Sequence, residues 1–169
     1  VIHVHGGVDA RRDLEIIDTE LILADLQTVT KRVGKARNDA KSGDKKKTAY
    51  LKIVEKLEIG LQEGKKMREL DFTEEEKLEL LDLHLLTGKP FLYILNVSEA
   101  DLSTIIPEQV VKDLGLPDGA KVIPISAKVE EELINFTDEE AAGLLEELGI
   151  KESGLKALIH AAYETLGLM

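Results

Sequence analysis

Lys89-Pro90-Phe91-Leu92-Tyr93-Ile94-Leu95-Asn96-Val97-Ser98-Glu99 is the stretch that decides the fold. Pro90 stops whatever helix precedes it, because it has no N–H and holds Lys89 in extended backbone. Phe91 to Leu95 is an apolar run of strand length, closed by Asn96. A run apolar on both faces suits a parallel strand buried under helices. Val122-Ile123-Pro124-Ile125 reads as a second strand and ends at Ser126-Ala127. Between the two, Pro107 to Leu114 reads as a helix, with Gly115, Pro117 and Gly119 closing it. Val129 to Ile134, Asp138 to Leu148 and Ser153 to Leu166 read as further helices. Strand, helix, strand, helix predicts an α/β fold with a parallel sheet.

Upstream of this stretch the period changes. Val1 to Val8 is short and β-branched and runs into Gly6-Gly7, an extended segment entering a loop. Asp9 offers a cap for a helix from about Asp13 to about Lys41. Along it Ile22, Leu26, Val29, Val33, Ala36 and Ala40 recur at alternating spacings of four and three, a heptad seam. Ser42-Gly43-Asp44 breaks the pattern. Tyr50, Val54, Leu57 and Leu61 resume it as far as Gly64. Two helices joined by a short polar turn are expected to fold back as an antiparallel hairpin. Thr73 and Glu76 have capping-box spacing and predict another helix through Leu86. His84 and His160 fall within helical patterns and read as packing or surface residues.

Composition narrows the chemistry. The 169 residues contain no Cys, which excludes disulfides, thiolate zinc sites and a cysteine nucleophile. No apolar run approaches membrane-spanning length, and no basic-then-apolar leader opens the chain. The chain reads as cytoplasmic. Because it opens on Val1, it also reads as a processed or excised segment. Net charge is −11, which disfavours polyanion binding by the chain as a whole. Its distribution is uneven: Lys31 to Lys47 carries +6 and the remainder −17. The hairpin would gather Arg37, Lys41, Lys45, Lys46 and Lys47 at its tip, where RNA or a ribosome is the expected contact. The competing view is a solvated helix end.

The candidate site lies past the two strands. Asn96-Val97-Ser98-Glu99 and Ser126-Ala127-Lys128 each follow a strand, at the sheet edge where open α/β folds bind ligands. A polar residue there is more often a turn or cap. Taken together, the two resemble the base-recognition motifs of P-loop GTPases, Asn-Lys-x-Asp and Ser-Ala-Lys. Glu99 stands where that pattern has Asp, and Val97 where it has Lys. The GTPase carboxylate accepts two hydrogen bonds that guanine donates and adenine does not, so guanine discrimination should weaken here. A phosphate loop needs Gly-x-x-x-x-Gly-Lys-Ser/Thr. The nearest match, Gly60 to Lys66, is one residue short, lacks the hydroxyl and follows a helix.

The stretches His3 to Gly6, Val8 to Leu26, Leu85 to Pro90, Asn96 to Glu99, Val122 to Ala127 and Glu152 to Leu155 resemble, in order, the YchF or Obg-like ATPase family. Ala10 departs from it, standing where the family often has Pro. The resemblance implies a P-loop NTPase domain with a helical coiled-coil insertion and a following TGS domain. On that basis residues 1–12 and 89–169 are expected to be parts of the NTPase domain and 13–88 the insertion. The resemblance also implies ATP, with GTP possible, and magnesium held by ligands outside this sequence. It makes Asn96, Val97, Glu99, Ser126 and Ala127 the base-binding residues, and His3 a participant in hydrolysis. Chemically, a His beside Gly6-Gly7 can orient water or stabilise charge. His3 and His5 without a third ligand make an incomplete metal site, so no metal is assigned. With no phosphate loop, this chain by itself is expected to be inactive. The rival reading is a helical interaction module with an α/β scaffold and no nucleotide role.

Overall fold

The computed structural model describes the backbone of residues 2–3 and all of residues 10–168. Three strands form one sheet: β1 (Ile2–His3), β2 (Leu92–Asn96) and β3 (Lys121–Ile125), in the order β1-β2-β3 and all parallel. Parallel neighbours need a crossover. Helix α4 (Pro107–Leu114) supplies the one between β2 and β3. Pro107 suits its first turn, where no N–H partner is lost. Gly115 ends it at φ 65°, a left-handed position that favours glycine. Pro124 withholds one sheet N–H, which is tolerable because β3 pairs only with β2 among the described strands. The register sets Asn96 opposite Ile125, so the chain leaves both strands at the same edge.

Tyr93, Leu95, Val97, Leu102, Leu116, Val122 and Val129 form the core of this unit. The expected two-sided burial of the first apolar strand is only half met. Tyr93 and Leu95 are buried, while Leu92 and Ile94 stay partly accessible in the described structure. Among the described residues the unit also holds α5 (Ala127–Ile134), α6 (Asp138–Glu147) and α7 (Gly154–Thr165). Thr137 and Glu140 cap α6 reciprocally.

Gly154 lets α7 approach the end of β3. Its N–H donates to Glu130 Oε1 at 2.7 Å, and a Cβ there would lie 2.7 Å from Ile125 Cγ1 and 3.2 Å from Ile125 Cβ. Those atoms are fixed at the base of a β-branched side chain, so relief requires backbone movement. Gly154→Ala is expected to lower stability by about 1–2 kcal/mol, as overpacking does. Thermal unfolding checks this, and an unchanged or raised Tm would contradict it.

The second unit spans residues 15–90, with the divide falling between Leu14 and Glu15 and between Pro90 and Phe91. Its longest element is α1 (Ala10–Ala40), which begins before that divide. After 41–44 comes α2 (Lys45–Gln62), capped by Asp44, whose Oδ1 accepts the N–H groups of Lys46 and Lys47. The chain returns alongside α1: Lys66, just past α2, pairs with Asp18 near the start of α1. Val29, Val33 and Ala36 from α1 pack with Val54, Leu57 and Leu61 from α2. Arg32 Nη1 donates to Tyr50 Oη at 3.0 Å and to Asp82 Oδ2 at 2.7 Å, tying both helices to the segment after them.

Helix α3 (Glu74–Leu80) starts at the capping box of Thr73 and Glu76 but stops six residues before the expected Leu86. A 3-10 turn follows at Leu81–Leu83, and exposed His84 adopts φ 49°. The reason is a competing acceptor. Asp25, 3% exposed on α1, takes the N–H of Leu86 on Oδ1 and that of Thr87 on Oδ2, both at 2.8 Å. Thr87 Oγ1, fully buried, accepts the N–H of Met67 at 3.0 Å. Those backbone groups are engaged by tertiary partners, not by continuation of the helix.

Candidate functional site

Beyond the aligned ends of β2 and β3, two turns flank an open pocket of about 630 Å³. Asn96 to Ala100 form one wall and Ser126 to Lys128 the other, with Leu148 completing it. The first wall is fixed locally. Val97 N–H donates to Ile125 O at 2.9 Å, and Ser98 Oγ donates to Asp101 Oδ2 at 2.6 Å across a 3-10 turn at Glu99–Asp101. The second wall is the start of α5. Ser126 is 3% exposed, and its hydroxyl makes no capping hydrogen bond to α5. The first N–H groups of a helix have no partner within it, so the turn at Ala127 and Lys128 offers backbone donors beside the pocket.

The sequence-assigned residues divide in two. Asn96, Glu99, Ser126 and Ala127 come together around this pocket. Val97 also lines it, but its side chain is 8% exposed and belongs to the core of the sheet unit. It contributes to the apolar lining of the pocket. His3 faces Asn96 in the β1–β2 register, at the same end of the sheet; its side chain, with His5, Gly6 and Gly7, lies outside the described residues.

Lys128, beside the base-binding residues that the resemblance implies, also lines the pocket. Its Nζ donates to Glu99 Oε2 at 2.8 Å and lies 3.7 Å from Glu132 Oε1. The hydrogen bond to Glu99, then the charges of Glu99 and Glu132, hold its ammonium pKa above the ordinary lysine value. Its position in Ser-Ala-Lys was the available signal. What sequence could not supply was its partner, 29 residues away.

The basic tip is less isolated than its sequence implies. Arg37 Nε donates to Glu55 Oε1 at 2.9 Å, which compensates its charge, and Lys41 Nζ donates to Asn38 Oδ1 at 3.0 Å. Lys45, Lys46 and Lys47 are exposed and make no ion pair among the described residues. Lys46 and Lys47 nonetheless border a cleft of about 650 Å³ that Glu75, Glu76 and Glu79 of α3 also line. Among the described residues no cluster of three or more His, Asp or Glu could hold a metal ion, and no helix is long and apolar enough to cross a membrane.

No protein-family model matches the chain. It is 43% identical over 171 residues to the ribosome-binding ATPase YchF of Bacillus subtilis (strain 168), a match covering 99% of this chain and 47% of that protein. Against the ribosome-binding ATPase YchF of Escherichia coli O157:H7 the identity is 38% over 168 residues, covering 99% and 46%. The solved structure of the Schizosaccharomyces pombe YchF GTPase superposes with a TM-score of 0.81 at 32% identity, covering 98% of this chain and 46% of that one. The chain thus spans about half the length of the curated relatives it matches.

Proposed function

Because the chain belongs to the YchF family, we propose that it carries the base-recognition half of a P-loop nucleotide site in a cytoplasmic ATPase, ATP being preferred to GTP. One observation carries the reading: the β2–β3 register brings Asn96–Glu99 and Ser126–Lys128 around a single pocket at the carboxyl ends of parallel strands. The polar ends and the apolar floor of Val97 and Leu148 fit a planar base with hydrogen-bonding edges. Asn96 offers an amide that can donate to and accept from adenine's N7 and 6-amino edge. Ser126 and Ala127 contribute backbone groups beside it. His3, whose strand ends next to Asn96, assists hydrolysis. The triphosphate and magnesium need a phosphate loop, and the 169 residues contain none, so the chain alone should not hydrolyse ATP. When bound, magnesium would neutralise charge developing on the phosphates.

The helical pair of residues 15–90 is, on this reading, the coiled-coil insertion that couples nucleotide state to a ribosome, reached through Arg37, Lys41, Lys45, Lys46 and Lys47. An interaction module with a mere α/β scaffold leaves the pocket without a purpose. The test is equilibrium binding of ATP and GTP by the gene product that carries this chain. Asn96→Ala is expected to weaken ATP binding about tenfold or more, since a site built to hydrogen-bond its ligand suffers when a partner is lost. Failure of the unmodified protein to bind either nucleotide would overturn the assignment.

A further inference from the structure

Glu99 is oriented by its neighbours. One of its carboxylate oxygens accepts from Lys128 Nζ at 2.8 Å, and the same ammonium lies 3.7 Å from Glu132. Within the same turn Ser98 Oγ donates to Asp101 Oδ2. A carboxylate that recognises guanine must give both oxygens to the ring N–H and the 2-amino group. With one oxygen already accepting from a cation, that two-point pairing meets a competitor and is weakened. The same neutralisation weakens the repulsion an unpaired carboxylate would exert on adenine N1, which is an acceptor. Both consequences favour adenine over guanine.

We propose that Lys128 biases purine preference towards adenine here, by holding Glu99 in an ion pair that competes with guanine for its two-oxygen acceptor; this rests on the pocket being a nucleotide site. The effect passes through Glu99, so Lys128 is a positioning residue. It is reached by a salt bridge 68% exposed on the lysine side and 37% on the glutamate side. Such pairs are screened and individually weak, so the change in preference is about fivefold, well short of a full inversion.

The experiment measures ATP and GTP dissociation constants for the full-length protein containing this chain, using displacement of a fluorescent nucleotide. Circular dichroism verifies folding of each variant. Lys128→Met should raise GTP affinity relative to ATP about fivefold. Lys128→Arg, which keeps the ion pair, should retain the parent ratio. Lys128→Met combined with Glu99→Gln should return the ratio towards the parent, because a neutral amide cannot accept from both guanine donors. An unchanged ratio in folded Lys128→Met that still binds both nucleotides would overturn the proposal. So would a shift that persists in the double variant, since it would not run through Glu99. Loss of both nucleotides by the unmodified protein would instead defeat the nucleotide reading on which this one stands.

Discussion

Changing Lys45, Lys46 and Lys47 together to Glu is expected to weaken ribosome co-sedimentation by about a hundredfold at low salt and to flatten its salt dependence. Each phosphate contact made by a cation releases counterions, adding roughly 0.7 to 0.9 to the slope of log affinity against log salt. Three lost contacts should therefore reduce that slope by about two to three. The substitution should spare the fold. The three lysines occupy the first turn of α2, where the helix dipole disfavours cations, and Asp44 alone supplies the cap. Glutamates in that turn gain about 0.3–1 kcal/mol each from the dipole. That works against the repulsion the new glutamates meet from Glu75, Glu76 and Glu79 around the same cleft, and circular dichroism checks that the helix content is kept. Reduced binding would thus report a lost contact and not an unfolded hairpin. Equal co-sedimentation of the parent and the triple variant across a salt series would leave the lysines as groups that merely keep an exposed turn hydrated.

Asp25→Ala is expected to destabilise the helical unit by about 3–4 kcal/mol, measured as a fall in the urea midpoint of the transition that reports it. Asp25 is almost wholly buried and is the acceptor for two backbone N–H groups, one of them on Thr87, itself fully buried. Truncation leaves the Thr87 donor buried without its acceptor, at about 1–3 kcal/mol, and takes the partner of the part-buried Leu86 N–H as well, at about 1 kcal/mol more. It also frees the segment that holds Thr87 Oγ1 against Met67. Asp25→Asn separates hydrogen bonding from volume. Its carbonyl oxygen can serve one N–H, but its amino group meets the other donor, so about half the loss should remain. If Asn is as damaging as Ala, the two-acceptor account of this position fails.

Local signals placed most elements. The apolar run after Pro90, the Pro107–Gly115 pair, and the capping box at Thr73/Glu76 act within a few residues of themselves. Each of the corresponding elements begins within a residue of where those signals put it. The family relationship was likewise legible, because the chain matches its relatives along nearly its full length. The pocket was half legible: that Asn96 and Ser126 follow strands is written in the sequence, and that they meet follows from a parallel register. Val97 shows the gap. Its place in the motif suggests a base contact, and the sequence does not show that the same residue also packs with the core of the sheet unit.

The sequence by itself determined the strand-and-helix order, the chemistry available at Asn96, Glu99, Ser126 and Lys128, and the positive charge around residues 31–47. The tertiary structure decided three things. Helix α3 ends at Leu80 because Asp25, 61 residues before Leu86, captures the backbone N–H groups beyond it. The basic run shares a cleft with acidic α3 through Lys46 and Lys47, although no glutamate of α3 is near them in sequence. Glu99 faces Lys128 because two parallel strands end in register. In each case a backbone donor or a charge chose among partners that chain folding brought close, and periodicity or composition within a short window holds no record of that choice.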